Sequence, residues 1–131
     1  MVCRAATHLM FQGEASAALE LYSSVFPSFR LDGLERYQPG ESGPEGTVKR
    51  ADAFIEGHAL VVIDSPVKHE FTFTPAMSIF VDFASQEELD AAFRRLAERG
   101  RIFMPIGSYG FSNRFGWCAD RFGVSWQLNL P

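Results

Sequence analysis

The chain has 131 residues, 47% of them hydrophobic, with 13 Phe and a formal net charge of −4. A chain of this size is expected to form one domain that buries roughly two-thirds of its unfolded surface. Mild acidity without a basic run excludes nucleic acid as a main partner, and no apolar stretch reaches the ~18 residues of a membrane-spanning helix.

Thr7-His8-Leu9-Met10-Phe11 reads as a short strand in which His8 and Met10 share one face and Leu9 and Phe11 the other. A helix is predicted from about Glu14 to Phe26, because Ala15, Ala18, Leu19, Tyr22, Val25 and Phe26 recur at spacings of three and four. Pro27 stops it. Phe29 to Tyr37 reads as a strand, and Gln38 to Thr47, rich in Pro and Gly, as a mobile loop and a candidate lid. Val48 to Ile55 and Ala59 to Asp64 follow as strands joined by a turn at Gly57, and Arg50 and Asp52 share a face as an exposed pair. Ser65 to Pro75 is a connector.

The pattern then restarts. Met77 to Phe83 is a strand. Ser85-Gln86-Glu87-Glu88 reads as a capping box, with Ser85 as N-cap and Glu88 reaching back. The helix it opens buries Leu89, Ala92, Phe93 and Leu96 and runs to about Arg99, where Gly100 ends it. Arg101 to Ile106, Asn113 to Ala119 and Ser125 to Leu130 are the closing strands, and Gly107 to Gly110 forms a loop carrying Tyr109. Asp120 opens the last turn and Gly123 supplies its positive φ. In the final strand Ser125, Gln127 and Asn129 point one way, and Trp126, Leu128 and Leu130 the other. Trp126 is expected under a helix, whereas Trp117 is a candidate pocket wall.

Two βαβββ units therefore follow each other, one over about residues 5–65 and one over about 76–131. Tyr22 and Val25 recur as Phe93 and Leu96, a repetition of pattern rather than of letters. Neither unit buries its helix and sheet alone. The expected fold is α+β: two paired βαβββ modules in a curved mixed sheet, with helices outside and a cup for a small molecule inside.

Several segments carry a family resemblance: Leu9-Met10-Phe11-Gln12-Gly13 with Tyr22 and Phe26-Pro27, Phe54-Ile55-Glu56-Gly57-His58, Phe71-Thr72-Phe73, and Gln86-Glu87-Glu88-Leu89-Asp90. The most specific is Gly116-Trp117 with Asp120-Arg121-Phe122-Gly123-Val124-Ser125-Trp126-Gln127. Through them the chain resembles the PhnB-like branch of the vicinal oxygen chelate superfamily, often labelled 3-demethylubiquinone methyltransferase-like. That superfamily includes glyoxalase I, fosfomycin- and bleomycin-resistance proteins and extradiol dioxygenases. A methyltransferase of the usual α/β type needs a glycine-rich strand–turn–helix for its cofactor, and the chain has none.

The resemblance implies a divalent metal, Zn²⁺, Mn²⁺, Ni²⁺ or Fe²⁺, held from the first, fifth and last strands. The residues at those places are His8, Ser78 (Met77 if the register slips) and Gln127. An imidazole, a hydroxyl and a neutral amide form a poor donor set where three strong donors are wanted. The usual three-ligand metal site is therefore not expected. His8, Met10, Ser78, Phe80, Trp117 and Gln127 are the expected walls of the cup. Cys3 and Cys118 make neither a disulfide framework nor a zinc site.

Three functions remain open: a metal-independent small-molecule-binding protein, including one that sequesters a drug; a metal-dependent lyase, isomerase or dioxygenase; and an assembly partner with a vestigial cup. The resemblance implies a homodimer in each case. The start of the chain lacks the apolar core of a signal peptide, so a cytoplasmic location is expected.

Overall fold

Eight strands and two helices follow one another in the predicted order, βαβββ twice, in a computed structural model that describes residues 1–131. The chain divides into two units, Met1–His69 and Glu70–Pro131. Each holds one four-stranded mixed sheet and one helix, an α+β architecture of the glyoxalase-like kind.

In the first unit the elements are β1 (Thr7–Phe11), α1 (Ala15–Val25), β2 (Arg30–Arg36), β3 (Val48–Ile55) and β4 (His58–Asp64). The sheet order is β1-β4-β3-β2, with β1 parallel to β4 and the other pairs antiparallel. The apolar face of α1 buries Ala15, Ala18, Leu19, Tyr22 and Val25, the residues its periodicity singled out. Its first turn takes no cap from Glu14. The last residue of β4 supplies it instead: Asp64 Oδ1 accepts the N–H groups of Gly13 at 2.8 Å and Ala15 at 3.0 Å. Asp64 Oδ2 accepts the N–H of Val48 at 2.9 Å, so one buried carboxylate joins helix start, strand end and strand start.

The loop from Gln38 to Thr47, expected to be mobile, is tied down. Tyr37 and Thr47 close its neck through an N–H to carbonyl bond of 2.9 Å. Glu41 accepts from the Gln38 N–H at 2.7 Å and from Lys49 Nζ at 2.6 Å. The Lys49 hydrogen bond, with that of the Gln38 N–H, holds the Glu41 carboxyl below its usual range. Gly43 lies flat against the buried Tyr37 ring, leaving no room for a Cβ. Pro and Gly here mark tight backbone, not slack.

The second unit contains β5 (Ser78–Asp82), α2 (Gln86–Ala97), β6 (Arg101–Gly107), β7 (Arg114–Ala119) and β8 (Ser125–Leu130), in sheet order β5-β8-β7-β6. Ser85 caps α2 by accepting the Glu88 N–H at 3.3 Å, and its hydroxyl donates to Glu87 at 3.1 Å. The capping residue is thus the expected one, with Glu87 as its carboxylate partner.

At the other end of α2, Arg99 and not Gly100 takes the left-handed conformation, at φ 58°. Gly100 serves space: a Cβ there would collide with the backbone carbonyl of Ala119. Gly116 on β7 plays the same part, since its Cβ would stand 2.7 Å from the Phe93 ring. The β7–β8 turn has Gly123 at φ 95°. It is held by the buried Asp120, whose Oδ1 accepts the N–H groups of Phe122 and Val124 and whose Oδ2 accepts Trp126 Nε1 at 2.9 Å. Trp126 is fully buried on the α2 side of its sheet, as expected.

Candidate functional site

Pleating sorts the second sheet into two faces. Ile79, Val81, Cys118, Trp126 and Leu128 are buried on the α2 side. The opposite face is built in rows across β5, β8 and β7. One row is Ser78, Ser125 and Ala119; the next is Phe80, Gln127 and Trp117, which Met104 of β6 extends; the third is Asp82, Asn129 and Phe115. Four of the six residues singled out from sequence, Ser78, Phe80, Trp117 and Gln127, therefore share one face in adjacent rows. Phe80 is 55% exposed, and Ser78, Trp117 and Gln127 are half-buried.

A hydrogen-bonded chain links them. Trp117 Nε1 donates to Ser125 Oγ at 2.9 Å, Ser125 and Ser78 hydroxyls lie 2.6 Å apart, and Gln127 Nε2 donates to Ser78 Oγ at 3.2 Å. The direction of the middle bond follows from burial. Ser125 is 2% exposed and the Ser78 oxygen is its one acceptor within reach. A buried hydroxyl proton must be satisfied, so Ser125 donates to Ser78. Ser78 Oγ then accepts from both Gln127 and Ser125, which uses its two lone pairs. Its own proton points out of the network, and the Gln127 carbonyl oxygen is left to accept.

The aromatic surroundings extend past Trp117. Its ring packs on Phe103 at 5.0 Å between centroids. Phe115 is buried beneath Phe111 at 5.0 Å and Tyr109 at 6.1 Å. Ser125, Phe103 and Phe111 are among the members of this face that the sequence alone does not single out. Ser125 was within reach, because it alternates with Gln127; the ring contacts of Phe103 and Phe111 depend on strand bulges and a loop that no periodicity encodes.

The other two residues, His8 and Met10, lie in the first unit. His8 is exposed opposite Val61, and Met10 is half-buried opposite Ile63. Asp52 pairs with Val61 on the same face, but Arg50 holds it at 3.0 and 3.2 Å and Arg4 at 3.5 Å. The Arg50 hydrogen bond above all holds the Asp52 carboxyl below its usual range, against an opposing effect of burial, with the charges of Arg50 and Arg4 adding to it. This is the exposed pair read from the strand pattern.

The residues do not fit the superfamily's metal. No three His, Cys, Asp or Glu side chains gather to hold an ion. Ser78 has both lone pairs engaged, and Gln127 turns its amide nitrogen, not its oxygen, toward Ser78. Cys118 offers no nucleophile either: burial, with the charge of Asp120 behind it, pushes its thiol up to about 12. A groove of about 510 Å³ lies on the α2 side, over Phe93, Ile102 and Ile106 beside the Arg114–Asp90 ion pair. None of the residues singled out from sequence lines it.

Comparisons with known proteins agree with this architecture. The family model described as 3-demethylubiquinone-9 3-methyltransferase matches residues 4–129. A PhnB protein of Bacillus cereus, described as a 3-demethylubiquinone-9 3-methyltransferase, is 46% identical, with a TM-score of 0.94 over 98% of this chain and 100% of that one. Protein YjdN of Escherichia coli K12 is 24% identical over 94% of this chain and 92% of its own length. A glyoxylase/bleomycin resistance protein/dioxygenase domain from Frankia sp. EAN1pec shares the fold, with a TM-score of 0.65 at 15% identity over 99% of this chain and 98% of that one.

Proposed function

We propose, on the premise that this chain belongs to the 3-demethylubiquinone-9 3-methyltransferase family, the PhnB-like branch of the vicinal oxygen chelate superfamily, that it is a small-molecule-binding protein. In this reading it works without the usual three-ligand metal site. The observation that carries the reading is the row Phe80–Gln127–Trp117: a half-open, uncharged face of two rings and an amide, with the Ser78 hydroxyl beside it. An exposed aromatic ring next to unspent hydrogen-bonding groups is what a ligand site offers and a core does not.

The two modules act as one domain in this proposal, with His8 and Met10 as further ligand contacts, in a homodimer located in the cytoplasm. Sequestration of a drug is a form of the same activity, in keeping with the bleomycin resistance named for the Frankia domain. No helix is long and apolar enough to cross a membrane.

The test is a thermal-shift screen of the untagged protein against metabolites and antibiotics, alongside measurement of bound metal. The proposal expects small-molecule hits that Gln127→Leu weakens, and no stoichiometric metal. Stoichiometric Zn²⁺, Mn²⁺, Ni²⁺ or Fe²⁺, lost in His8→Ala, would overturn it in favour of a metal-dependent lyase, isomerase or dioxygenase. A screen without a hit would leave only the assembly role.

A further inference from the structure

We infer that the Ser78–Gln127 face takes a planar, uncharged heteroaromatic molecule and reads its lactam edge, a ring carbonyl next to a ring N–H. The inference rests on the small-molecule reading above and narrows it to a ligand class.

The hydrogen-bond polarity sets the edge. The Trp117 N–H can only donate, and the proton order Trp117 to Ser125 to Ser78 follows from it and from the burial of Ser125. Ser78 is thereby an obligate donor toward the open face, because both of its lone pairs are taken. Gln127 spends its N–H on Ser78 and offers its carbonyl oxygen as an acceptor. A donor beside an acceptor is complementary to a ligand carbonyl beside a ligand N–H. A carboxylate would meet the Gln127 oxygen with like polarity, and an ammonium would waste the Ser78 proton.

The spacing sets the shape. Phe80 and Trp117 flank Gln127 from β5 and β7. Two strand intervals separate them by roughly 10 Å at the backbone. A flat ring between two others needs about 3.5–4 Å on each side. That leaves room for one planar layer between the two rings, and favours a flat ring over a globular aliphatic group.

Charge sets the neutrality. No ionised side chain stands in the Ser78 or Gln127 row on β5, β8 or β7. The Asp82 carboxylate in the next row already accepts from Asn129 at 2.8 Å. Of the two flanking rings, Phe80, 55% exposed, has more water to lose than the half-buried Trp117 when such a ligand arrives.

The test is calorimetric titration of the whole chain with three compounds of one shape: 2-quinolone, its N-methyl derivative and naphthalene. 2-Quinolone should bind about tenfold or more tightly than either of the others, the scale of a neutral hydrogen bond and its desolvated partner. Ser78→Ala or Gln127→Leu should abolish that preference. Phe80→Ala, a surface change that leaves the network whole, should weaken all three alike. Equal affinity for the three compounds in the unaltered protein overturns the edge reading without any variant. Binding of screened metabolites but of none of these three overturns the ligand class and leaves the small-molecule reading standing. Binding of nothing in either experiment overturns both.

Discussion

The two units repeat one backbone plan and give it opposite surfaces. In the first, the face away from α1 is charged: Asp52 lies between Arg50 and Arg4, and the guanidinium of Arg30 sits 4.3 Å over the Phe54 ring. In the second, the Ser78 and Gln127 rows of the equivalent face form a neutral lattice of rings, hydroxyls and an amide. The helix-side faces are alike, largely apolar and buried in both. The fold constrains one side of each sheet, and the other is free to vary in chemistry. The locks differ too. Asp64 ties a helix start to two strands, whereas Asp120 ties a hairpin to its own tryptophan.

Removing those locks should have the largest effect. Asp64→Ala strands the N–H groups of Gly13, Ala15 and Val48, and Asp120→Ala strands those of Phe122, Val124 and the Trp126 indole. Each change is expected to cost about 3–5 kcal/mol, given buried donors left unpaired. Urea unfolding measures the loss, and amide exchange locates it. Asp64→Ala should deprotect α1 and β3, and Asp120→Ala the β7–β8 hairpin. Equal deprotection of both units by either variant would show that they share one cooperative transition.

Glycines provide a finer contrast. Gly100 and Gly116 make room, and Gly57 makes a turn. Gly100→Ala drives a methyl into the Ala119 carbonyl, and Gly116→Ala drives one into the Phe93 ring. Each should cost about 1–3 kcal/mol, the range for overpacking. Gly57 has φ 80° and open space around it, so Gly57→Ala should cost about 1 kcal/mol, by backbone strain alone. Thermal melts of the three variants rank them. A Gly57→Ala loss above that of Gly100→Ala would reverse the assignment of roles.

The parts of the fold that were legible in the sequence are those written in short-range periodicity. Leu89, Ala92, Phe93 and Leu96 face inward from α2, and Ser125, Gln127 and Asn129 alternate with Trp126 and Leu128. That alternation was enough to bring Gln127, Trp117, Ser78 and Phe80 onto one face. What it could not reveal depends on long-range contact. Asp64 as the cap of α1 acts across about 50 residues of chain. The left-handed Arg99 leaves no periodic trace, and the need for Gly100 comes from a carbonyl brought in by β7. The loop over residues 38–47 looked slack because its cross-links, Glu41 to Lys49 and Gly43 to Tyr37, leave no periodic trace.

The thiols extend the contrast to reactivity. Cys3 is exposed and Cys118 fully buried. In native protein at pH 8 a disulfide reagent should label one thiol per chain, with the second appearing only on unfolding. The raised Cys118 value also has a sign. The unfolded thiol loses its proton near 9, while the folded one keeps it to about 12. Stability therefore falls as pH rises through that window. Cys118→Ala should flatten that part of the pH dependence, while Cys3→Ala should leave it unchanged.

The smallest effect is expected where the first face looks most elaborate. Arg50 holds Asp52 through two bonds, but the pair stands in solvent, with side-chain exposures of 51% and 29%. The bond to Arg50 is the main reason the Asp52 carboxyl lies below its ordinary value. Its contribution is thus present above the unfolded value near 3.8 and fades as pH falls through the lower folded one. Solvent screening and side-chain entropy leave little of it at neutral pH. Arg50→Ala, Asp52→Ala and the double change should all shift the urea midpoint by no more than its scatter at pH 7. A loss approaching that of Asp64→Ala would mean that the charged face is as much part of the fold as the buried carboxylate, and the two faces would no longer be equally free to vary.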